Sequence, residues 1–244
     1  MSQIEGRNPV IEALQRGKRR VHRVYVDRGA KPDRRMTRIA ELCEAASVPV
    51  EVTDRRRLDE MASGRVHNGV IAHADALPTH TTRGLINELF AAGEEPFLVL
   101  ADAIQYEHNL GAILRSGLGF GVHGIVIPTR RGTDVSPVVQ RVSMGAAEEI
   151  PVVRESMHSA LKHIKKAGIR VVGADMNGVA AHELDLTGPL ALVMGSEGRG
   201  LSSSLRDRCD AVVSIPLLGE LESLNVSVAA ALLMYERARQ GRAD

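Results

Sequence analysis

Short, largely apolar runs recur along the second half of the chain, at Phe97–Ala101, Gly124–Ile127, 169–173, Leu190–Met194 and 211–215, broken only by Arg170 and Ser214. Each is too short for a helix and none alternates with polar positions, the pattern of strands buried on both faces in a parallel sheet covered by helices. Between and after them, helical spacing predicts helices over 109–119, 156–167 and 226–239, with a helix start near 201–205 and short elements at 136–142 and Val152. This alternation predicts an α/β fold with a mostly parallel sheet.

The front of the chain reads as a smaller α/β unit. Asn8 as an N-cap, Pro9 at the first helical position and Gly17 as a stop predict a helix over 9–16. Strands follow at 21–26, 48–52 and 69–72, with helices at 33–46 and 55–62. The stretch 76–82 carries Pro78 and polar residues without apolar periodicity. The expected division is residues 1–75, a linker over 76–87, and a second domain over 88–244, within a length that also admits one large domain.

The net charge is only +1, yet residues 1–75 hold fifteen Lys/Arg against eleven Asp/Glu. Arg16, Lys18, Arg19, Arg20 and Arg23 form one cluster and Arg55, Arg56 and Arg57 another, either phosphate-neutralising or simply solvated. With no Trp, three Tyr and three Phe, nucleic-acid recognition by stacking on aromatic side chains is disfavoured, leaving charge and shape. Cys43 and Cys209 stand apart with neither zinc nor disulfide spacing, which fits a reducing cytosol. No apolar run is long enough to span a membrane, and the N-terminus lacks the apolar core of a signal peptide, so a soluble intracellular protein is expected.

The 195–201 loop is neither a Walker A loop nor Gly-x-Gly-x-x-Gly, and HExxH and Gly-x-Ser-x-Gly patterns are missing, which disfavours nucleotide-loop chemistry there and zinc-hydrolase and serine-hydrolase chemistry. Three other segments stand out. In Asn109-Leu110-Gly111-Ala112-Ile113-Leu114-Arg115-Ser116, Asn109 is expected to cap a helix. Leu110, Ile113, Leu114 and Leu118 would face the core, and Gly111, Arg115 and Gly119 would form a smooth stripe. Met194-Gly195-Ser196-Glu197-Gly198-Arg199-Gly200-Leu201 follows one apolar run. The segment from Ile215-Pro216 to Ser223-Leu224-Asn225-Val226-Ser227 follows another, with Asn225 as the expected cap of the last helix. Loops after the carboxyl ends of parallel strands are where an open α/β sheet holds a ligand. Taken singly, each has a structural explanation: an arginine paired to a carboxylate, a glutamate accepting loop amides, a capping asparagine.

In this order the three segments resemble the motifs of the SpoU, or TrmH, family of RNA ribose 2′-O-methyltransferases in the SPOUT superfamily. The stretch Gly6-Arg7-Asn8-Pro9-Val10-Ile11-Glu12-Ala13-Leu14 resembles the opening of the ribosomal-protein-L30e-like substrate domain carried by many members, as in the 23S rRNA guanosine branch. Two departures are Tyr106-Glu107-His108 where the family often has Asp-Pro before the motif Asn, and Gly117 where it often has Ala.

The resemblance implies an S-adenosylmethionine cofactor in a C-terminal trefoil knot, no metal, and a cytoplasmic homodimer with its sites at the interface. Gly195, Ile215 and Leu224 carry over as cofactor-binding, with Met194, Leu217 and Ser223 as neighbours. Asn109, Arg115, Glu197 and Asn225 carry over as the catalytic set. In the implied reaction a ribose 2′-hydroxyl attacks the sulfonium methyl. Arg115 would act either as general base or, since arginine stays protonated near neutrality, as a clamp on the adjacent phosphate that polarises the hydroxyl. The implied substrate is 23S rRNA at a guanosine or another nucleotide. The alternatives are tRNA, an antibiotic target in rRNA, and a non-catalytic RNA-binding role in ribosome assembly.

Overall fold

The computed structural model describes residues 2–196, 200–219 and 223–241, which divide into two compact units. The first comprises the chain to Pro78 together with Val135–Glu149, and the second comprises Thr79–Asp134 and the chain from Ile150. No helix among the described residues is long and apolar enough to cross a membrane.

The first unit contains β1 (Ser2–Glu5), α1 (Arg7–Arg16), β2 (Val21–Asp27), α2 (Arg34–Ala45), β3 (Val50–Thr53), α3 (Arg55–Ala62) and β4 (Val70–Ala74), joined by α6 (Pro137–Val142) and α7 (Ala146–Glu149). Its sheet runs β1-β4-β2-β3, antiparallel except for the β2–β3 pair. Ile4, Val10, Val24, Ile39, Cys43 and Val70 are buried together beneath α1 and α2. Asp33 caps α2 by accepting from the Arg35 and Met36 amides, and Asp54 caps α3 through the Arg57 amide.

Two local expectations are corrected here. α1 starts at Gly6, not Asn8: Gly6 at φ 101° turns the chain straight out of β1, so Asn8 and Pro9 already lie in the first turn, where a missing amide proton costs nothing. Arg19 is not part of a solvent-facing run either. It is buried, paired with Glu148 through its Nε/Nη2 edge, and its Nη2 also donates to Gln140 Oε1 at 2.9 Å. Lys18 Nζ donates to the Glu149 carbonyl at 2.8 Å, and Arg16 pairs with the Glu149 carboxylate. These bonds fasten α7, distant in sequence, to the first unit. Burial pushes the Glu148 carboxyl above its ordinary range, with Arg19 opposing.

The second unit contains α4 (Thr82–Ala91), β5 (Phe97–Ala101), α5 (Glu107–Gly119), β6 (Gly124–Ile127), β7 (Val152–Arg154), α8 (Met157–Lys166), β8 (Arg170–Ala180), β9 (Leu190–Met194), α9 (Ser203–Arg206), β10 (Ala211–Ser214) and α10 (Val226–Gln240). Among the described residues its sheet has six strands in the order β10-β8-β9-β5-β6-β7, all parallel. Every residue of β5, β6 and β9 is buried, as their uninterrupted apolar runs require. The chain builds outward from β5 through β6 to β7, then crosses to the other side for β8, β9 and β10. The order therefore reverses between β5 and β9, and a crevice opens there at the carboxyl ends.

α4 occupies part of the stretch read as linker. Thr81 caps it through the Gly84 amide, and Leu85 and Ile86 are buried. β8 runs past residue 173, where the apolar run ends, and pairs Val179 and Ala180 with Val213 and Ser214 after a register shift. Leu118 is exposed, not in the core. At Gly117 a Cβ would lie 3.2 Å from Val122 Cβ and 3.3 Å from Ile150 Cδ1, so the space suits a glycine.

Glu155, just after β7, holds the start of α4: Oε2 accepts from Thr82 Oγ1 at 2.6 Å and the Thr82 amide at 3.2 Å, and Oε1 accepts from Ser159. Burial opposes its ionisation, but these bonds and His163 outweigh it and hold the carboxyl below its ordinary range. A depressed acid stabilises the fold above the unfolded pKa and loses that contribution as pH falls through the folded value. Glu155→Gln is therefore expected to cost about 2 kcal/mol at pH 7, a gap that narrows as the pH falls below the unfolded carboxyl's range, to about pH 3. Urea unfolding at the two pH values checks this; a gap that does not change with pH would contradict it.

Candidate active site

The carboxyl ends of β8, β9 and β10 and the starts of α5 and α10 surround a cavity of about 650 Å³. That volume lies within the roughly 300–1,000 Å³ typical of small-molecule and cofactor sites. Met194, Gly195, Ile215, Leu217, Ser223 and Leu224, the six residues carried over as cofactor-binding, all line it. Asn109 and Asn225 line it as well.

Gly195 sets its shape. A Cβ there would fall 2.2 Å from the Gly200 carbonyl carbon and 2.4 Å from the Leu201 nitrogen, so the main chain returns on itself at a distance only glycine permits. Just beyond, Ser196 and Gly200 exchange both backbone hydrogen bonds at 3.0 Å, with Gly200 at φ 64°. Glu197, expected in the catalytic set, lies outside the described residues.

Asn225 caps α10 as expected, its Oδ1 accepting from the Ser227 amide at 2.9 Å and from Ser227 Oγ at 2.7 Å. Its Nδ2 donates to Asn109 Oδ1 at 3.1 Å, tying the starts of the two helices together. Asn109 is not the cap of α5, because the helix begins at Glu107 with Tyr106 as cap and no side-chain capping bond. The consequence is chemical: the Asn109 side chain meets Asn225 and Ser227 across the cavity wall instead of closing its own helix.

Arg115 is placed elsewhere. It is exposed and does not line the cavity, six residues beyond Asn109, which is about 9 Å along α5 and roughly 240° around it.

The cavity wall includes residues that the motifs did not single out. Tyr106 lines its rim, as do Asp175 and Asn177 on the polar extension of β8. Asp175 accepts from the Asn177 amide at 3.0 Å and pairs with Arg206 at 2.9 Å, which hold its carboxyl below the ordinary range against a burial cost. The available signal was the short Asp-Met-Asn break after an apolar run, the mark of a strand leaving the core. Asp102, at the end of β5, donates its amide to the Met194 carbonyl at 3.0 Å; burial raises its carboxyl, with His158 and Arg131 opposing. Most side chains around the cavity are apolar, and Gly195 and Gly200 contribute main chain alone to its wall. Such a surface can enclose a flat heterocycle and a short aliphatic chain while main-chain groups fix orientation.

The family described as SpoU rRNA methylase matches residues 96–235, and the one described as RNA 2′-O ribose methyltransferase substrate binding matches residues 3–80. A protein of Photorhabdus laumondii named 23S rRNA (guanosine-2′-O-)-methyltransferase RlmB is 38% identical over 241 residues, covering 97% of both chains. An uncharacterized tRNA/rRNA methyltransferase of Mycobacterium sp. (strain KMS) is 41% identical over 239 residues, 97% of this chain and 76% of the other. Among solved structures, the SpoU methyltransferase AviRb from Streptomyces viridochromogenes in complex with AdoMet superposes with a TM-score of 0.81 at 25% identity, over 99% of this chain and 91% of that one. With both segments matched and an α/β architecture shared over nearly the whole length, this chain belongs to the SpoU rRNA methylase family.

Proposed function

We propose that this chain transfers a methyl group from S-adenosylmethionine to a ribose 2′-hydroxyl of 23S rRNA, at a guanosine. The observation that carries the reading is the convergence of three motif loops, far apart in sequence, on one cavity at the carboxyl ends of a parallel sheet. The match to the Photorhabdus laumondii relative over 97% of both chains supports the substrate.

The cavity fits the cofactor. Met194, Ile215, Leu217 and Leu224 offer apolar walls for an adenine, and main-chain groups near Gly195 and Ser223 offer polar contacts at close range. When bound, S-adenosylmethionine supplies an electrophilic methyl group. The protein's own residues must then position a neutral hydroxyl, a poor nucleophile, and provide for its proton. The Asn225–Asn109 bond holds the helix starts rigid around the reacting ribose. Arg115 serves as base or as clamp on the phosphate next to the attacking hydroxyl, and Glu197 orients it.

Arg115 is exposed and does not line its own protomer's cavity, which supports a homodimer in which each protomer's Arg115 completes the other's site. Apolar side chains are exposed on α5 and α10: Leu118, Leu232, Tyr235 and Val228, with Tyr235 edge-on to Phe120 at 5.9 Å between centroids. The trefoil threading belongs to the same proposal. It is supported by the tight main-chain return at Gly195 and by β10 pairing outside β8. Residues 1–75 serve as the L30e-like substrate domain, which residues 135–149 join, and the catalytic domain comprises 79–134 and 150–244 rather than all of 88–244; the match over residues 3–80 supports the first of these. A cytoplasmic location follows from a ribosomal substrate.

Incubation of the protein with labelled S-adenosylmethionine and unmodified 23S rRNA, 16S rRNA or bulk tRNA tests the reading. Label recovered as 2′-O-methylguanosine from 23S rRNA is expected. Label in tRNA alone would overturn the substrate, and cofactor binding without transfer to any RNA would favour a non-catalytic role. Arg115→Lys keeps the charge but not the planar fork, so kcat is expected to fall about a hundredfold with cofactor affinity unchanged. Near-normal turnover at unchanged RNA affinity would remove Arg115 from both roles.

A further inference from the structure

The basic runs in the sequence are not where the first unit gathers its available charge. Arg16, Lys18 and Arg19 are drawn onto Glu148 and Glu149, and Arg23 pairs with Glu51 at 2.7 Å. A separate cavity of about 950 Å³ lies within this unit, among the start of α1, the loops after β2 and α3, and the region around α6. Six cationic side chains line it: Arg7, Lys31, Arg35, Arg55, Arg65 and Arg141.

Its carboxylates are already engaged. Asp27 accepts from the Gly29 amide at 2.9 Å, Asp33 caps α2 and pairs with Arg7, and Asp59 takes His67 at 2.9 Å and Arg55 at 3.9 Å. Three of the arginines are pinned: Arg7 Nε donates to the Asn68 carbonyl at 3.0 Å, Arg141 Nη1 to the Val66 carbonyl at 2.9 Å, and Arg65 to the buried Glu5 carboxylate at 2.7 Å. Lys31 and Arg35 are exposed and form no ion pair among the described residues. Pinned guanidiniums lose little freedom on meeting an anion, and the free cations add long-range attraction.

The cavity has no platform for stacking bases. Apart from His67, which is buried and tied to Asp59 and the Gly69 amide, no aromatic ring lines it. Gly6 and Gly69, both at positive φ, add no side chain to its wall, and their main-chain groups are already bonded within the unit. These features suit a sugar-phosphate backbone rather than a nucleobase.

We propose that this cleft grips the sugar-phosphate backbone of the substrate RNA, with Lys31, Arg35 and Arg141 each contacting phosphate. The proposal rests on the reading above that RNA is the substrate, and it names the surface that holds that RNA. Arg141 belongs to it only because Val135–Glu149 folds with the first unit.

The test uses the full-length protein and an unmodified 23S rRNA transcript, with Kd measured across a range of salt and KM and kcat measured for methyl transfer. Lys31→Gln/Arg35→Gln is expected to raise Kd and KM roughly tenfold at moderate salt and to flatten the slope of log K against log salt by about 1.5, with kcat unchanged. Arg141→Gln is expected to flatten it by about 1, provided thermal melting shows the fold intact. The control Arg23→Gln/Arg38→Gln also removes two exposed cations from the first unit, but outside the cleft, and is expected to change the slope little.

Parent-like Kd and slope in both cleft variants, while the parent protein methylates RNA, would overturn the cleft and leave the function standing. An equal loss in the control would also overturn it, showing diffuse attraction. A parent protein that binds the transcript without methylating it would overturn the proposed function alone, and the variants would still decide the cleft. Binding of an acidic polypeptide in preference to the transcript, lost in the same variants, would replace RNA as the occupant.

Discussion

The catalytic half of this protein depends on one close approach of main chain to main chain. At the end of β9, Gly195 lies so near Gly200 and Leu201 that a single methyl group would displace the backbone. This contact turns the loop back over the carboxyl ends of the strands, beside the segment that follows β10. All-parallel strand order makes it useful, since it puts the ends of β8, β9 and β10 at one edge of a rigid, buried sheet. The loops that line the cavity therefore stand on a scaffold, with the Asn225–Asn109 bond bracing the two helices that flank them.

The first unit solves a different problem. Its sequence carries more positive charge than a compact fold tolerates at random positions, and the structure sorts that charge. Arg19 goes inside, where Glu148 and Gln140 satisfy it and fasten a segment from far along the chain. Breaking such a buried pair by removing one partner would leave an uncompensated charge, costing several kcal/mol, about 3–5. Other cations are left around a cleft whose carboxylates already close a turn, cap a helix or pair with His67.

The sequence made the sheet legible because β5, β6 and β9 are buried on both faces and so cannot carry a polar residue; their boundaries match the apolar runs. The end of β8 was not legible, since Asp175 and Asn177 leave the core while the strand continues. Nor was β1, whose Ser2 to Glu5 sequence reveals nothing of its pairing with β4, seventy residues away by chain. Asn8 and Asn109 looked like caps because Asn before a helical pattern usually is one, but Gly6 and Tyr106 start those helices earlier. The glycine and apolar loop residues around the cavity were visible as motifs. The cleft was not, because Arg7, Lys31, Arg35, Arg65 and Arg141 are scattered along the chain and meet only on folding.

The most direct measurement is calorimetric titration of S-adenosylmethionine into the intact protein and into Gly195→Ala, with thermal melting to establish that the variant still folds. Saturable binding by the parent protein and at least about a tenfold loss of affinity in the folded variant are expected, since the added methyl must push apart the backbone that shapes the cavity. Equal affinity in the two proteins, or no binding by either, would contradict the placement of the cofactor in this crevice.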